Sequence, residues 1–379
     1  MQYIDTAEAL ESARVLIVSA PWAAIDTEAD SLHHYIEKLC LIQISIPEHD
    51  FVIDPLAGLD LKALGQTLCE RPLLFHGADF DIRMVRRGSG AMPQKGMFDT
   101  MLAAQLLGYD RQSLADLVKK HCDIELSKSS QKADWSRRPL TDKMLDYAVN
   151  DTLHLKKISD IMRDELKELG RLDWHRQACE RLVKSLAATP EQERQERENA
   201  WQVKGSKELK GRALTILKEL WRWREDEAKR RDRPSFKVLN TEYLVEVAKW
   251  AAENLDKSVA DMPTAPRNVR GELSGFINDI VKKTEGLPQA IWAAKKFAGP
   301  RTKWTDKNQK DFLAFKEARE RLGKELKLLP SLIATNAILE DLTLDCPKDR
   351  EHFKRLDYLM PWQAEVLTEP LLEIINKTP

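Results

Sequence analysis

Two acidic residues follow a short apolar run near the start of the chain, where a buried strand is predicted. Asp26 and Glu28 come directly after Trp22–Ile25. Residues i and i+2 of a strand point to the same side, so both carboxylates would project from one face. Unpaired like charges there are costly, and a divalent cation with oxygen ligands, Mg²⁺ or Mn²⁺, would remove the conflict. A turn or helix cap after the strand explains the pair equally well.

Two further groups of candidate residues follow along the chain. The first begins at His76 and carries Asp79 and Asp81 where a strand gives way to a helix, a place where aspartate is also a preferred N-cap. The second pairs Tyr147 with Asp151, and this i, i+4 spacing places the phenol and the carboxylate on one helix face. A solvated helix face accounts for that pair taken alone. The combination of the three groups in this order is what makes the pattern specific.

The elements that must position these groups alternate between strands and helices. Short apolar runs rich in Ile and Val predict strands over 22–28, 39–46, 51–54 and 73–76. Helical spacing of apolar residues predicts helices over 61–70, 81–87, 99–107, 114–121 and 141–169. Asp99 precedes one of these helices and is predicted to be its N-cap. The first half is therefore expected to be a mixed α/β domain.

The second half is expected to be all-α. The stretch 187–200 is polar without an apolar period and is interpreted as a linker, either extended or partly helical. Strand signals nearly vanish after Trp201. Helices are predicted over 271–283, 306–328 and 331–342, and a basic stretch at 295–304 indicates a second boundary. We therefore predict an α/β domain over 1–185, a linker over 186–203, and helical domains over 204–290 and 291–379.

Composition narrows the class of protein. Of the 379 residues 42% are hydrophobic, which is enough for a packed core, and no apolar run is long enough for a membrane span. The five cysteines are scattered without a CxxC pair, so we expect neither a disulfide framework nor a structural zinc site, but a reducing, cytoplasmic setting without a signal peptide. The net charge of -1 divides into -7 over residues 1–180 and +6 over the rest. An acidic half beside a basic half is typical of metal-dependent nucleic-acid enzymes, and of many unrelated proteins.

The three groups resemble the motifs of the DEDD exonucleases, in the subclass with a tyrosine (DEDDy). The resemblance is carried by Asp26-Thr27-Glu28, by His76–Asp81 and by Tyr147–Asp151. Further stretches resemble ribonuclease D and the related nuclear exosome exonuclease: Leu41-Ile42-Gln43, Phe98-Asp99-Thr100, Lys128-Ser129, Asp134-Trp135 and Arg138-Pro139-Leu140. This resemblance covers residues 1–180 and implies an RNase H-like fold. The sequence LKELWRWREDEA at 217–228 resembles HRDC domains, and residues from about 300 resemble a second, more divergent copy.

The resemblance implies a reaction and a role for each acidic residue. It implies a 3′→5′ exoribonuclease with two divalent metal ions, Mg²⁺ or Mn²⁺, that releases nucleoside 5′-monophosphates. Asp26 would bridge both ions, Glu28 and Asp151 would complete the first site, and Asp81 would hold the second, with Asp79 only a neighbour. Tyr147 would orient the attacking water. The implied substrates are RNAs with single-stranded 3′ ends, including tRNA precursors and other small structured RNAs.

Candidate RNA contacts have plainer alternatives. They are Thr27, His76, Lys128, Trp135, Arg230, Arg231 and Arg233. His76 is better explained as a core histidine bonded to the backbone, and Trp135 as a ring packed under its loop. Lys128 is explained equally well as a solvated lysine. Between residues 204 and 237 twelve Lys/Arg accompany six acids with tryptophans interleaved, which fits either a surface that follows phosphates or a salt-bridged helix face.

Two other functions share parts of this pattern. A DNA-directed exonuclease would have the same acids, because the metals act on the phosphate and not on the sugar. A catalytically silent RNA-binding protein would keep the fold, but its clustered carboxylates would repel one another for no gain. We expect the exoribonuclease, acting as a monomer without a membrane.

Overall fold

The computed structural model describes the chain except for residues 128, 188–189, 288–303 and 378–379. The described residues fall into two compact units. The first unit comprises Met1–Ala29, Leu39–Ala187 and Arg301–Pro379, and the second comprises Asp30–Lys38 and Ala188–Pro300. The boundary predicted at 295–304 lies outside the described residues except for Trp304.

The first unit is built on a six-stranded mixed sheet. Its strands are β1 (Gln2–Ile4), β2 (Ala23–Ala29), β3 (Leu39–Ile46), β4 (His49–Ile53), β5 (Leu73–Phe75) and β6 (Met97–Asp99). Their spatial order is β1-β4-β3-β2-β5-β6. β3 pairs antiparallel with both β2 and β4, whereas the other neighbours pair parallel. The predicted mixed α/β class is therefore confirmed.

Helices pack against this sheet. They are α1 (Ala7–Ser19), α2 (Lys62–Cys69), α3 (Asp79–Ser89), α4 (Thr100–Leu107), α5 (Leu114–Cys122), α6 (Asp142–Leu153), α7 (Leu155–Glu168) and α8 (Leu172–Leu186). Several begin where capping chemistry predicts. The side chains of Ser113 and Thr141 accept backbone N–H groups in the first turns of α5 and α6. The strands β1 and β6 and the helices α1 and α8 were not predicted.

The side chains of β3 alternate between the two faces of the sheet, and this alternation determines which face packs in the apolar core. Ile42, Ile44 and Ile46 lie on one face and pack with Ile25 of β2 and Phe51 of β4. Leu41, Gln43 and Ser45 consequently lie on the other face, against which α6 packs. That face contains polar residues although it is buried, which marks it as the place where a function constrains the sequence.

The single helix predicted over 141–169 is wrong, because the chain forms two helices there. α6 ends at Leu153 and α7 begins at Leu155, with His154 between them. α6 turns Ala148 and Thr152 toward the sheet, whereas α7 buries a stripe that packs with the apolar core around α4. The apolar period runs on through His154 without Pro or Gly, so the sequence carries no local signal for this change of direction.

The second unit is helical. Its helices are α9 (Pro190–Asn199), α10 (Gly211–Arg231), α11 (Ser235–Val238), α12 (Thr241–Glu253), α13 (Arg267–Arg270) and α14 (Ser274–Glu285). The stretch interpreted as a linker thus forms a helix over most of its length. Leu217, Leu220, Leu244 and Val247 belong to its apolar core. The segment Asp30–Lys38 belongs to this unit, and the His34 ring nitrogen lies 2.8 Å from a carboxylate oxygen of Asp232.

The C-terminal helices belong to the first unit. They are α15 (Asp306–Leu326), α16 (Pro330–Ile333), α17 (Asn336–Asp345), α18 (Arg350–Arg355) and α19 (Pro361–Lys377). The prediction of one helix over 331–342 is wrong, because Thr335 caps a new helix there. Trp362 stacks on Trp174 of α8 with ring centroids 4.6 Å apart, and Arg171 donates to the Leu326 carbonyl at 2.7 Å. These helices therefore share an apolar core with the α/β sheet.

The two helical parts repeat one arrangement at an interval of 95 residues. α10 and α15 are both 21 residues long, and α11 and α12 begin 95 residues before α16 and α17. Both long helices end at a residue with positive φ. Buried Arg224 donates to the Leu239 carbonyl, to Thr241 and to Glu225. Arg319 makes the three corresponding bonds, to the Ala334 carbonyl, Asn336 and Glu320. The two helical parts therefore share one local arrangement of helices and hydrogen bonds.

Candidate active site

Three carboxylates meet at the end of β2. Asp26 and Glu28 project from the same face of this strand, and Asp151 of α6 joins them. One ligand oxygen from each of the three lies within 4.8 Å of the others. All three side chains are partly exposed, so the cluster is open to solvent. The structure therefore brings together residues that stand far apart in the sequence.

The helix α6 carries both Asp151 and Tyr147 into this cluster. Tyr147 lies one helical turn before Asp151, with its phenol near enough to the Asp151 carboxylate for each to affect the pKa of the other. Thr152, which is buried, lies with its hydroxyl 2.8 Å from the hydroxyl of Ser45 on β3. That contact and the buried Ala148 fix the rotation of α6 about its axis. Tyr147 and Asp151, which directly precede these two residues, therefore face the carboxylates.

The loop before α6 is anchored by an ion pair. Arg138 donates to both carboxylate oxygens of Asp54, at 2.5 and 2.6 Å, and to the backbone carbonyl of Cys40 at 3.0 Å. Burial raises the pKa of Asp54, but hydrogen bonds from Arg138 and Tyr3 outweigh that effect and hold it below its usual range. This anchoring gives Arg138 of the motif pattern a structural role, which is to hold the loop before α6.

Asp81 approaches the cluster from α3 and is held by Thr27 and by the turn that precedes this helix. Thr27 donates its hydroxyl to a carboxylate oxygen of Asp81 at 2.6 Å. Asp99 accepts from the backbone N–H groups of Gly77 and Ala78, both at 2.9 Å, and thereby fixes the turn that leads into α3. Gly77 has a φ of 78°, a conformation that favours glycine. Asp81 lies outside the group of three but close enough to raise the pKa of Asp151 and Glu28.

The N-cap predicted for Asp99 is confirmed, and the structure adds a second role. One oxygen of Asp99 accepts from Met101 at 2.8 Å in the first turn of α4. The same carboxylate also accepts from the turn before α3, as described. The sequence showed only the cap, because the second set of donors comes from a neighbouring strand end that is distant along the chain.

Burial is the main cause of the raised pKa values in this site. It raises the pKa of Glu28 to about 10 and that of Asp151 to about 7, and nearby carboxylates raise both further. The pKa values of Asp26 and Asp81 are also well above the ordinary range, again through burial first and a neighbouring carboxylate second. Burial and Asp151 raise the pKa of Tyr147. The site gathers more negative charge than its surroundings neutralise.

A divalent metal ion fits this arrangement. The donor set consists only of carboxylate oxygens, which hard cations such as Mg²⁺ and Mn²⁺ prefer. The like-charge repulsion that raises the carboxyl pKa values is the repulsion that a cation would remove. Asp26, Glu28 and Asp151 can therefore hold a divalent metal ion.

The remaining predicted residues lie in different surroundings. His76 is partly buried, with its Nδ1 3.0 Å from the Thr100 hydroxyl. Thr27 is buried and engaged with Asp81. Trp135 is 1% exposed and its ring centroid lies 6.0 Å from that of Tyr147, which favours packing under the loop over stacking on a substrate. Lys128 lies outside the described residues.

The three arginines of the basic stretch differ from one another. Arg230 and Arg231 both pair with Glu227, and Arg231 also pairs with Glu272. Arg233 is exposed. Part of this charge is therefore neutralised within the helical unit, as the salt-bridge alternative expects, while the side chain of Arg230 remains 68% exposed.

Comparison with known proteins agrees with this geometry. A family model described as 3′-5′ exonuclease matches residues 1–167, and the HRDC domain model matches residues 213–257. Ribonuclease D of Nitrobacter hamburgensis is 30% identical over 99% of this chain and 95% of its own. The human exosome complex component 10 is 29% identical over 79% of this chain and 35% of its own.

A solved structure agrees with the fold. The crystal structure of Escherichia coli RNase D superposes with a TM-score of 0.73, at 24% identity, over 100% of this chain and 99% of that one. This likeness shows the RNase H-like exonuclease fold with its helical additions. The carboxylate cluster, the two family models and a relative that is similar over nearly the whole of both chains agree. The chain belongs to the ribonuclease D family of 3′→5′ exoribonucleases.

Proposed function

We propose that the chain hydrolyses RNA from the 3′ end with two divalent metal ions, Mg²⁺ or Mn²⁺, held by four carboxylates. The observation that carries this proposal is the meeting of Asp26, Glu28 and Asp151 within 4.8 Å, with Asp81 beside them. Asp26, Glu28 and Asp151 would hold the first ion, and Asp26 and Asp81 the second. Ions bound there would neutralise the scissile phosphate and lower the pKa of the attacking water.

Tyr147 is proposed to position the attacking water. Its raised pKa keeps the phenol protonated at neutral pH, so it cannot take a proton from water there. Its hydroxyl instead offers a fixed donor and acceptor beside Asp151. Because α6 holds the ring against buried Trp135, the hydroxyl has a defined place relative to the carboxylates.

Replacement of Tyr147 by phenylalanine is expected to lower kcat about a hundredfold while changing the affinity for Mn²⁺ by less than about threefold. Single-turnover kinetics would give the first value and calorimetric titration the second. Tyr109→Phe is a matched control, because it removes a phenol that donates to a different carboxylate, Glu165. Equal losses of turnover and Mn²⁺ affinity in Tyr147→Phe would contradict the positioning role.

The proposed substrates are RNAs with single-stranded 3′ ends, among them tRNA precursors and other small structured RNAs, with release of nucleoside 5′-monophosphates. The family supports this assignment, and the charge of +6 over residues 181–379 supports a polyanionic partner. We further propose a monomer that works in the cytoplasm, which the five free cysteines favour. The boundaries at 185, 203 and 290 are part of the same proposal.

The test uses a 5′-labelled RNA with a single-stranded 3′ tail and the same sequence as DNA. Each is incubated with Mg²⁺ or Mn²⁺ and resolved on a sequencing gel. A one-nucleotide ladder that shrinks from the 3′ end of the RNA, and that EDTA abolishes, is expected. Equally fast ladders on DNA would favour a general exonuclease, whereas a gel shift without products would indicate a binding protein.

Arg230, Arg231 and Arg233 remain proposed contacts to the RNA backbone. Replacing all three with glutamate is expected to weaken RNA binding and to lower the slope of log K against log salt concentration by about 2, since each phosphate contact on a single strand contributes about 0.7. Fluorescence anisotropy at several salt concentrations measures both quantities, and a thermal melt checks folding. Unchanged affinity and slope would remove this surface from the binding account.

A further inference from the structure

Gln43 lies directly beside Asp26 in the sheet. The antiparallel register of β2 and β3 places Asp26 opposite Gln43, Ala24 opposite Ser45 and Glu28 opposite Leu41. Residues directly opposite one another in such a pair have their Cβ atoms about 4.5–5.5 Å apart and project from the same face. The side chain of Gln43 is therefore the nearest cross-strand neighbour of the carboxylate that stands at the centre of the cluster.

The amide of Gln43 is buried and unpaired. Its side chain is 0% exposed, and within the described residues neither its oxygen nor its nitrogen has a hydrogen-bond partner. Its neighbours along the same face differ: Ser45 bonds to Asp50 and to Thr152, and Leu41 is apolar. A buried amide without partners is costly, and a bound ion or a catalytic role is among the reasons why a native structure keeps one.

The missing partner can be inferred from the charge beside it. The Gln43 amide supplies two N–H donors, and the adjacent Asp26 side chain is an acceptor once it is ionised. Carboxylates that hold metals are themselves hydrogen-bonded by neighbouring groups, which fix the direction of the ligand oxygen. Gln43 cannot touch RNA, because it is enclosed between β3 and α6.

We propose that Gln43 is a positioning residue for Asp26. In the ionised, metal-loaded site its amide nitrogen donates to one carboxylate oxygen of Asp26 and so directs the other oxygen toward the metal. This inference rests on the proposed function, in which Asp26 is a metal ligand. It assigns to the Leu41-Ile42-Gln43 stretch a part in the site that the spacing of the acids alone did not indicate.

The test compares Gln43→Leu with the wild type by calorimetric titration with Mn²⁺ and by thermal unfolding without metal. Affinity for Mn²⁺ is expected to fall about 10- to 100-fold, the usual effect of removing such a partner. The melting temperature without metal is expected to stay the same or to rise, because an unpaired buried amide is replaced by an apolar group of similar size. A purely structural role would lower the melting temperature instead.

Two controls separate the possible outcomes. Gln363→Leu makes the same replacement at a buried glutamine of α19 that hydrogen-bonds to Met360 and Leu332, and it is expected to change Mn²⁺ affinity by less than about threefold. Gln43→Asn keeps an amide and should recover part of the lost affinity. Wild-type affinity in Gln43→Leu, or a lower melting temperature with unchanged affinity, would overturn the inference. Asp26→Asn identifies the source of a failure: wild-type Mn²⁺ affinity in that variant would instead overturn the proposed function.

Discussion

Replacement of Asp151 by asparagine is expected to lower turnover about a thousandfold and, at the same time, to make the metal-free protein more stable. Asp151 supplies one of the three oxygens that converge at the end of β2. A thousandfold lower rate corresponds to the loss of about 4 kcal/mol of transition-state stabilisation, which the bound metal would supply. The asparagine fills the same space without the negative charge, so the loss should come from chemistry rather than from folding.

The gain in stability follows from the pKa of Asp151. Burial and the nearby Asp81 raise it to about 7, above the value near 4 expected for the unfolded chain. A carboxyl whose folded-state pKa is raised costs stability as the pH rises from about 4 to 7, and the cost persists at higher pH. The melting temperature of Asp151→Asn in EDTA is therefore expected to exceed that of the wild type at pH 8, and to match it at pH 4.

Turnover on labelled RNA and thermal melts at the two pH values check these expectations. Asp79→Asn is the matched control. Asp79 is an exposed carboxylate that lies beside Asp81 in the first turn of α3, and it pairs with Arg83. That variant should keep nearly full activity and show no gain at pH 8. An Asp151→Asn protein that is less stable than the wild type at pH 8 would contradict the charge-repulsion account of the site.

Replacement of Trp362 by alanine is expected to destabilise the first unit by about 3–5 kcal/mol, the usual cost of emptying a buried aromatic site. Trp362 is 1% exposed, stacks on Trp174, and donates its backbone N–H to the side chain of Gln177 at 2.9 Å. It belongs to the same apolar core as residues of α4 and α7. Its removal should therefore weaken the α/β domain together with the C-terminal helices.

Urea unfolding monitored by far-UV circular dichroism would measure this loss, and near-UV spectra would report the broken indole pair. Trp304→Ala is the control, because that ring is 40% exposed and its removal should cost less than about 1 kcal/mol. A similar small loss in Trp362→Ala would mean that the C-terminal helices do not depend on this shared core.

Much of the sheet and of the carboxylate cluster could be predicted from the sequence, for local reasons. β3 was predicted with its observed bounds because LCLIQISI is a β-branched run with turn residues after it. The positions of Asp26 and Glu28 followed from strand periodicity, and that of Asp151 from helix periodicity with Tyr147 one turn before it. These are consequences of backbone geometry and need no knowledge of the rest of the fold.

What could not be predicted depends on residues that are distant along the chain. The break at His154 arises because α6 and α7 bury against different partners, and nothing in the local sequence marks it. The bond between Thr27 and Asp81 joins a strand to a helix 54 residues away. Trp135 had two interpretations that only its burial could separate. Gln43 belongs to a sequence motif, but its place opposite Asp26 depends on the register of β2 and β3.

The 95-residue repeat relates two helical parts that share internal hydrogen bonds but differ at their surfaces. The two modules keep the same buried arginine and the same three bonds, although few of their surface residues agree. At the end of the long helix the first copy has Lys229-Arg230-Arg231, whereas the second has Lys324-Glu325-Leu326.

The backbone carbonyl of Leu326 in that second copy accepts a hydrogen bond from Arg171, which directly precedes α8 of the α/β domain. Gene duplication followed by divergence produces this pattern. Both copies keep the buried arginine and its hydrogen bonds, the second copy packs against the α/β domain, and the first retains a charged surface. Selection on the second copy should therefore act through the stability of the α/β domain, and selection on the first copy through the charges on that copy's surface.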